Sequence, residues 1–181
     1  MDLSLFDVHE LLALAQDDID NKRFSEALFK VKTALAMPKP PNDLLAVAAK
    51  LYGQLRLFDK AKALFNRYLE QEPQATHERF QLGMVHFDNG ETEAALTIWG
   101  HLLEQHPVHP PARYYSALAN SKIVDWIAAQ KHLDILLKSV AADNMYFGMG
   151  KELLTAIQNE SFRDAEPQND TNEERLLEKY Q

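Results

Sequence analysis

The chain has 181 residues, 46% of them hydrophobic and 25% charged, enough for one domain with a sizeable core or for a short array. It has no cysteine, which excludes disulfides, thiolate metal sites and cysteine nucleophiles. A net charge of -8, from 27 acidic and 19 basic residues with no lysine–arginine cluster, argues against nucleic acid and anionic lipid as ligands.

The segment Met1-Asp2-Leu3-Ser4-Leu5-Phe6-Asp7 carries no basic stretch and no apolar core, so no signal peptide is expected in it. Ser4 followed by Asp7 has the form of a variant capping box opening the first helix. Leu11, Leu14, Ala15 and Asp18 then mark one helical face, and Ala27, Val31 and Ala34 a second, before Met37-Pro38-Lys39-Pro40-Pro41 stops it. Leu45, Ala48, Ala49 and Tyr52 fall at i, i+3, i+4 and i+7. Leu44 to Ala49 is the longest apolar run, too short to span a bilayer. Another periodic stretch, Ala61, Leu64, Phe65 and Tyr68, ends at Glu72-Pro73 because proline cannot continue a helix and restricts the residue before it. Arg79, Leu82, Gly83 and His86 follow, then the turn Asn89-Gly90, then Ala95, Ile98, Trp99 and Leu102, ended by His106-Pro107. Arg113, Ser116, Ala117 and Asn120 precede Ala129, Leu133 and Leu136. Tyr146, Met149, Gly150, Leu153 and Ile157 give one more apolar face, predicted as a capping helix over 144–162. The run from Arg163 to Glu173 has the composition of a solvated linker, and 163–181 reads as a flexible acidic tail. Within it Thr171 and Glu174 form a capping box ahead of Leu176, Leu177 and Tyr180, a short helix that would form only when docked.

These faces recur. Ala27, Ala61, Ala95 and Ala129 are each 34 apart, as are Ala15, Ala49, Gly83 and Ala117, and Val31, Phe65, Trp99 and Leu133. A fixed period in this range marks a stacked array of helix pairs. The small residues let paired helices approach closely, and the large ones fill the hole beside them. No strand-like alternation stands out, so the chain is predicted to be all-α.

The pattern resembles the tetratricopeptide repeat (TPR) family. Its signature, W-x2-L-G-x2-Y then A-x3-F then P, is matched by Leu45-x2-Ala48-Ala49-x2-Tyr52, Ala61-x3-Phe65 and Pro73, and next best by Leu82-Gly83-x2-His86, Ala95-x3-Trp99 and Pro107. Tyr68 and Leu102 depart from it where the family has a small residue, Arg79 and Arg113 take the first bulky position, and Ala141 replaces the last proline. The resemblance implies a right-handed superhelical TPR solenoid of about four helix-turn-helix units (about 5–40, 42–74, 76–108 and 110–142), closed by the capping helix, since a stack needs capped ends.

The resemblance also implies a concave groove lined by the first helix of each unit. Carried over, the groove positions are Leu12 and Gln16 in unit one, Lys50 and Gln54 in unit two, His77, Phe80, Met84 and Phe87 in unit three, and Tyr114, Leu118 and Lys122 in unit four. His9, Ile19, Asp43, Ala46, Asp88 and Ser121 share these faces. Phe80, Met84, Phe87, Tyr114 and Leu118 would form an apolar patch, with Lys50 and Lys122 as polar orienters. Two readings stand: anchors for a helix or extended peptide, or side chains covered internally by the capping helix. The carboxylate clamp of the TPR domains that grip chaperone tails is missing, because Leu12, Gln16, Val47, His77 and Gln81 occupy its positions.

No catalytic constellation emerges. His106-Pro107-Val108-His109-Pro110 reads as an inter-repeat loop rather than a metal site, and His86 as a satisfied packing residue. Asp17 and Asp18 are adjacent and expected on different sides of a helix. Phosphate loops and nucleophile motifs are missing. The expectation is a cytoplasmic protein-interaction module, an adaptor or scaffold, that holds a peptide or helix of a protein partner and needs no cofactor. Self-association through the groove or the tail is the accompanying idea. The alternatives are a small secretion-type or holdase chaperone shielding a client segment and, against the features above, an enzyme or nucleic-acid factor.

Overall fold

The first helix begins where a carboxylate can satisfy its orphan amides. Asp7 Oδ1 accepts from His9 N–H at 2.8 Å and Glu10 N–H at 2.9 Å, and Glu10 Oε2 accepts from Asp7 N–H at 2.8 Å. The capping box is therefore Asp7 with Glu10. Ser4 lies instead in a short 3-10 turn, Leu3–Leu5, capped by Asp2. The expected Ser4–Asp7 box is corrected by one turn of chain, because the aspartate reaches the amides two and three residues on and the serine does not.

The computed structural model describes residues 2–165. They form nine helices: α1 Val8–Asp20, α2 Phe24–Leu35, α3 Asp43–Gln54, α4 Phe58–Gln71, α5 Thr76–Asp88, α6 Thr92–Gln105, α7 Pro110–Lys122, α8 Trp126–Ser139 and α9 Met145–Ala165. Among the described residues there is no strand, and the fold class is the expected all-α TPR solenoid. The tail positions Thr171, Glu174, Leu176, Leu177 and Tyr180 lie outside the described residues.

Residues up to Ala112 form one compact unit and those from Arg113 another. In the first, α1 packs on α2, α3 on α4 and α5 on α6, and α2 meets α3 as α4 meets α5. Its core runs through Leu11, Ala15, Ala27, Val31, Leu44 and Leu51, then Ala49, Ala61, Phe65, Leu82 and Val85. In the second, Ala117, Ala129, Leu133, Leu136 and Ile157 pack together, with Tyr114, Tyr146 and Leu153 against them. Ala27, Ala61, Ala95 and Ala129 are all fully buried, as are Val31, Phe65, Trp99 and Leu133. The 34-residue series thus consists of helix–helix contact positions.

A further series at the same spacing is conformational. Lys22, Arg56, Gly90 and Val124 each close the first helix of a pair with positive φ: 59°, 57°, 82° and 64°. The hydrogen bonds around them repeat. Arg23 N–H reaches Asp18 O as Leu57 reaches Tyr52, Glu91 reaches His86 and Asp125 reaches Asn120. This is the Schellman closure, whose left-handed residue is best served by glycine. Only the third unit supplies one. Val124 is β-branched and 59% exposed, so it carries the conformational strain without burying its side chain. Replacing Val124 by glycine is expected to raise stability by about 1 kcal/mol, read as a higher midpoint in urea at unchanged slope. A midpoint that stays or falls would show that the valine side chain contributes more than its strain costs.

Candidate functional site

A concavity of about 900 Å³ lies in the first unit and is lined by α1, α3 and α5. Gln16, Ile19 and Asp20 come from α1, Val47, Lys50 and Gln54 from α3, and Gln81, Met84 and Asp88 from α5. These helices present the same face because each is the first of its pair and the pairs repeat at a fixed offset. Gln16, Lys50, Gln54 and Met84, all groove positions of the TPR resemblance, meet in this concavity. Leu12 is half-buried against the core, and His77 is exposed but does not line the groove.

The groove is polar in detail. Gln16 Nε2 donates to Asp20 Oδ1 at 2.8 Å, and Lys50 Nζ donates to Glu78 Oε1 at 3.2 Å. The side-chain amides of Gln54 and Gln81 have no hydrogen-bond partner among the described residues. Each offers a donor and an acceptor, the complement of a peptide unit. One end of the groove is built from residues that no periodic pattern of apolar positions singles out: Lys22, Phe24, Arg56 and Phe58, in and just after the two turns. Their signal in the sequence was the 34-residue offset itself, which pairs Lys22 with Arg56 and Phe24 with Phe58.

Phe80 and Phe87 do not face a ligand. They are 7% and 8% exposed and both pack against Trp99, with ring centroids at 6.1 and 5.7 Å. Trp99 Nε1 donates to the Phe80 carbonyl at 3.2 Å, and Phe80 also meets the His109 ring at 5.7 Å. The expected apolar patch is corrected here. A helix whose two neighbours both pack against it buries a face wider than the repeat signature marks, and Phe80 and Phe87 fall inside that face. Met84, half-buried, is the apolar residue of the expected α5 set that stays at the groove.

In the second unit, Tyr114 packs edge-on against Tyr115 at 5.3 Å and against Tyr146 of α9 at 5.8 Å. Burial pushes the Tyr114 and Tyr146 hydroxyls up from the usual phenol range. Tyr114 is thus covered in part from within its own unit. Leu118 is half-buried and Lys122 is exposed.

The tyrosine position of the repeat holds Asp18, Tyr52, His86 and Asn120 in turn, and each polar replacement brings its own partner. Asp18, buried, bonds Lys30 and takes Arg23 Nε at 2.7 Å. The lysine first, then the arginine, holds its carboxyl below the usual range. Asp17 reaches the same guanidinium at 2.6 Å, so the two adjacent acids converge on one arginine instead of diverging. His86 Nδ1 lies 2.5 Å from Glu91 Oε2, and Lys62 Nζ lies 2.8 Å from Glu91 Oε1. Lys62 is the main cause that pulls Glu91 down to about 2. Asn120 Nδ2 donates to the Ser116 carbonyl at 2.8 Å. These are packing positions.

His106 Nε2 lies 3.0 Å from Thr76 Oγ1, and His109 Nδ1 accepts from Ala112 N–H at 3.2 Å, capping α7. Burial, and then the nearby His106 and His77, push His109 below its ordinary value. Among the described residues no group of three His, Asp or Glu side chains is placed to hold a metal ion, and no helix is long and apolar enough to cross a membrane.

No family model and no curated protein matches the chain. Solved structures do. A tetratricopeptide repeat protein from Parabacteroides merdae superposes with a TM-score of 0.70 at 20% identity, over 84% of this chain and 60% of its own. The chain therefore spans less than two thirds of that protein. YrrB, described as a TPR protein with an unusual peptide-binding site, gives 0.67 at 22% identity over 80% of this chain and 74% of its own. MamA from Desulfovibrio magneticus, from residue 41 on, gives 0.68 at 15% identity over 88% and 97%. Helix pairs at a 34-residue offset, the small-against-large contacts between them and these superpositions agree: the chain has the tetratricopeptide repeat fold.

Proposed function

We propose that the protein is an interaction module, an adaptor or scaffold, that holds an extended segment of a protein partner in the groove lined by α1, α3 and α5. The observation that carries this reading is the pair of side-chain amides, Gln54 and Gln81, without a partner among the described residues, lining the same groove of about 900 Å³ as Met84. An extended peptide has a donor and an acceptor per residue, and amides on neighbouring helices can meet them at successive peptide units. Met84 supplies an adaptable apolar contact. Lys50, 40% exposed at its side chain, keeps donor capacity beyond its bond to Glu78. The alternation of Asp20, Lys22, Lys50, Arg56 and Asp88 with the amides favours a defined sequence over the unspecific apolar clients of a holdase.

The test is a pull-down from native lysate with mass-spectrometric readout, comparing the wild type with Gln54→Ala/Met84→Glu. Both positions are at the surface of the groove, so circular dichroism should be unchanged. A partner retained by the wild type and weakened at least about tenfold in the double variant is expected. Equal retention by both would move binding out of this groove. Serine at Phe80 or Phe87 is unsuited to this purpose, since both rings are core.

A further inference from the structure

A second concavity in the first unit lies between α2 and α4, with Tyr52 of α3 on its floor, and shares no lining residue with the groove. Its volume is about 460 Å³, and its floor is Leu35, Ala63, Leu64 and the ring of Tyr52. Lys32 of α2 and Lys60 of α4 flank it, and no acidic residue lines it. Lys60 Nζ lies 5.5 Å from the centre of the Tyr52 ring. Neither Lys32 nor Lys60 has an ion-pair partner among the described residues, whereas Lys30, Lys50 and Lys62 are all paired. Phe29, 64% exposed, stands one turn before Lys32 on the same helix.

The repeat supplies an internal control. The cleft 34 residues further on, about 510 Å³, is lined by Asn66, Leu69, Glu70, His86 and Ile98, which take the places of Lys32, Leu35, Ala36, Tyr52 and Leu64. Stacking helix pairs therefore produces the cleft as such. Stacking does not require two unpaired cations over an apolar floor: the second cleft has Asn66 and Ala94 where the first has the lysines, and its lining mixes Glu70 with Arg79, whose guanidinium donates to the Pro73 carbonyl.

We propose that the cleft between α2 and α4 is a second docking site, whose occupant is a short partner segment carrying leucine side chains flanked by carboxylates. The apolar floor takes the leucines, and the two lysines, with no carboxylate in the lining to offset them, meet the acids. The site is distinct from the groove and does not rest on it.

The experiment titrates the ¹⁵N-labelled full chain with the synthetic peptide acetyl-Glu-Glu-Leu-Leu-Glu-Glu-amide, beside the same peptide with lysines for glutamates and one with serines for leucines. The amides of Lys32, Ala36, Ala63 and Leu64 are expected to shift with the first peptide alone, saturating with a Kd of about 1 mM or tighter. Lys32→Glu/Lys60→Glu should weaken binding at least about tenfold. The single variant Ala63→Glu, which places a carboxylate on the floor, should do the same if the double variant does not fold. Gln54→Ala/Met84→Glu, in the groove, should leave the titration as it is. Silent cleft amides, equal shifts with the basic or serine peptide, or full binding by a folded cleft variant would each overturn the proposal.

Discussion

Replacing Trp99 by alanine is expected to destabilise the fold by about 3–5 kcal/mol, the range for removing a fully buried aromatic side chain. Trp99 has no exposed surface. Its indole packs against both Phe80 and Phe87, and its N–H donates to the Phe80 carbonyl. Alanine would leave a cavity beside two aromatic rings held by the backbone of α5, and the Phe80 carbonyl would lose its second hydrogen bond. For a chain of this length the melting midpoint should fall by about 10 °C. Thermal unfolding followed by circular dichroism reads it. A loss below about 1 kcal/mol would mean that the pocket collapses onto itself, and that the 34-residue series does not mark the positions on which stability depends.

Alanine at Gly83 is expected to cost about 3 kcal/mol, against its better helix propensity. A Cβ there would lie 2.2 Å from Trp99 Nε1 and 2.6 Å from Cδ1. Neither a buried indole nor the helix backbone can retreat by the ångström needed. The two substitutions should be coupled. In a Trp99→Leu background, where the indole is gone, Gly83→Ala should cost clearly less than in the wild type. Additive effects in a double-mutant cycle, by urea denaturation, would show that Gly83 matters for a reason other than its contact with Trp99.

Both predictions concern positions that the spacing had already marked. Gly83 belongs to the series Ala15, Ala49, Gly83 and Ala117, and Trp99 to Val31, Phe65, Trp99 and Leu133. A helix–helix contact constrains side-chain volume at fixed intervals, and volume is visible in a sequence. Hydrogen-bond partners are less so. That Asp18 would bond Lys30, or that Asp17 and Asp18 would share Arg23, depends on where the second helix of the pair brings its side chains. The missed capping box had a local cause: Ser4 and Asp7 are both good caps, and only the path of the chain chooses between them.

The groove shows the same division. Gln16, Lys50, Gln54 and Met84 are groove positions that the TPR resemblance implies, and they line one concavity because helices repeated at one offset turn equivalent faces the same way. Phe80 and Phe87 share that face and are buried, because whether an aromatic side chain there points to solvent or inward depends on the width of the neighbouring helix's footprint, and Trp99 widens it. By itself the sequence determined the helix pairs, their register and the small-against-large contacts, since these follow from periodicity and volume within and between adjacent segments. Only the tertiary structure decided which polar groups have no partner among the described residues, at Gln54 and Gln81 in the groove and at Lys32 and Lys60 in the cleft. Pairing depends on distances between side chains far apart in the chain, and periodicity does not encode those distances.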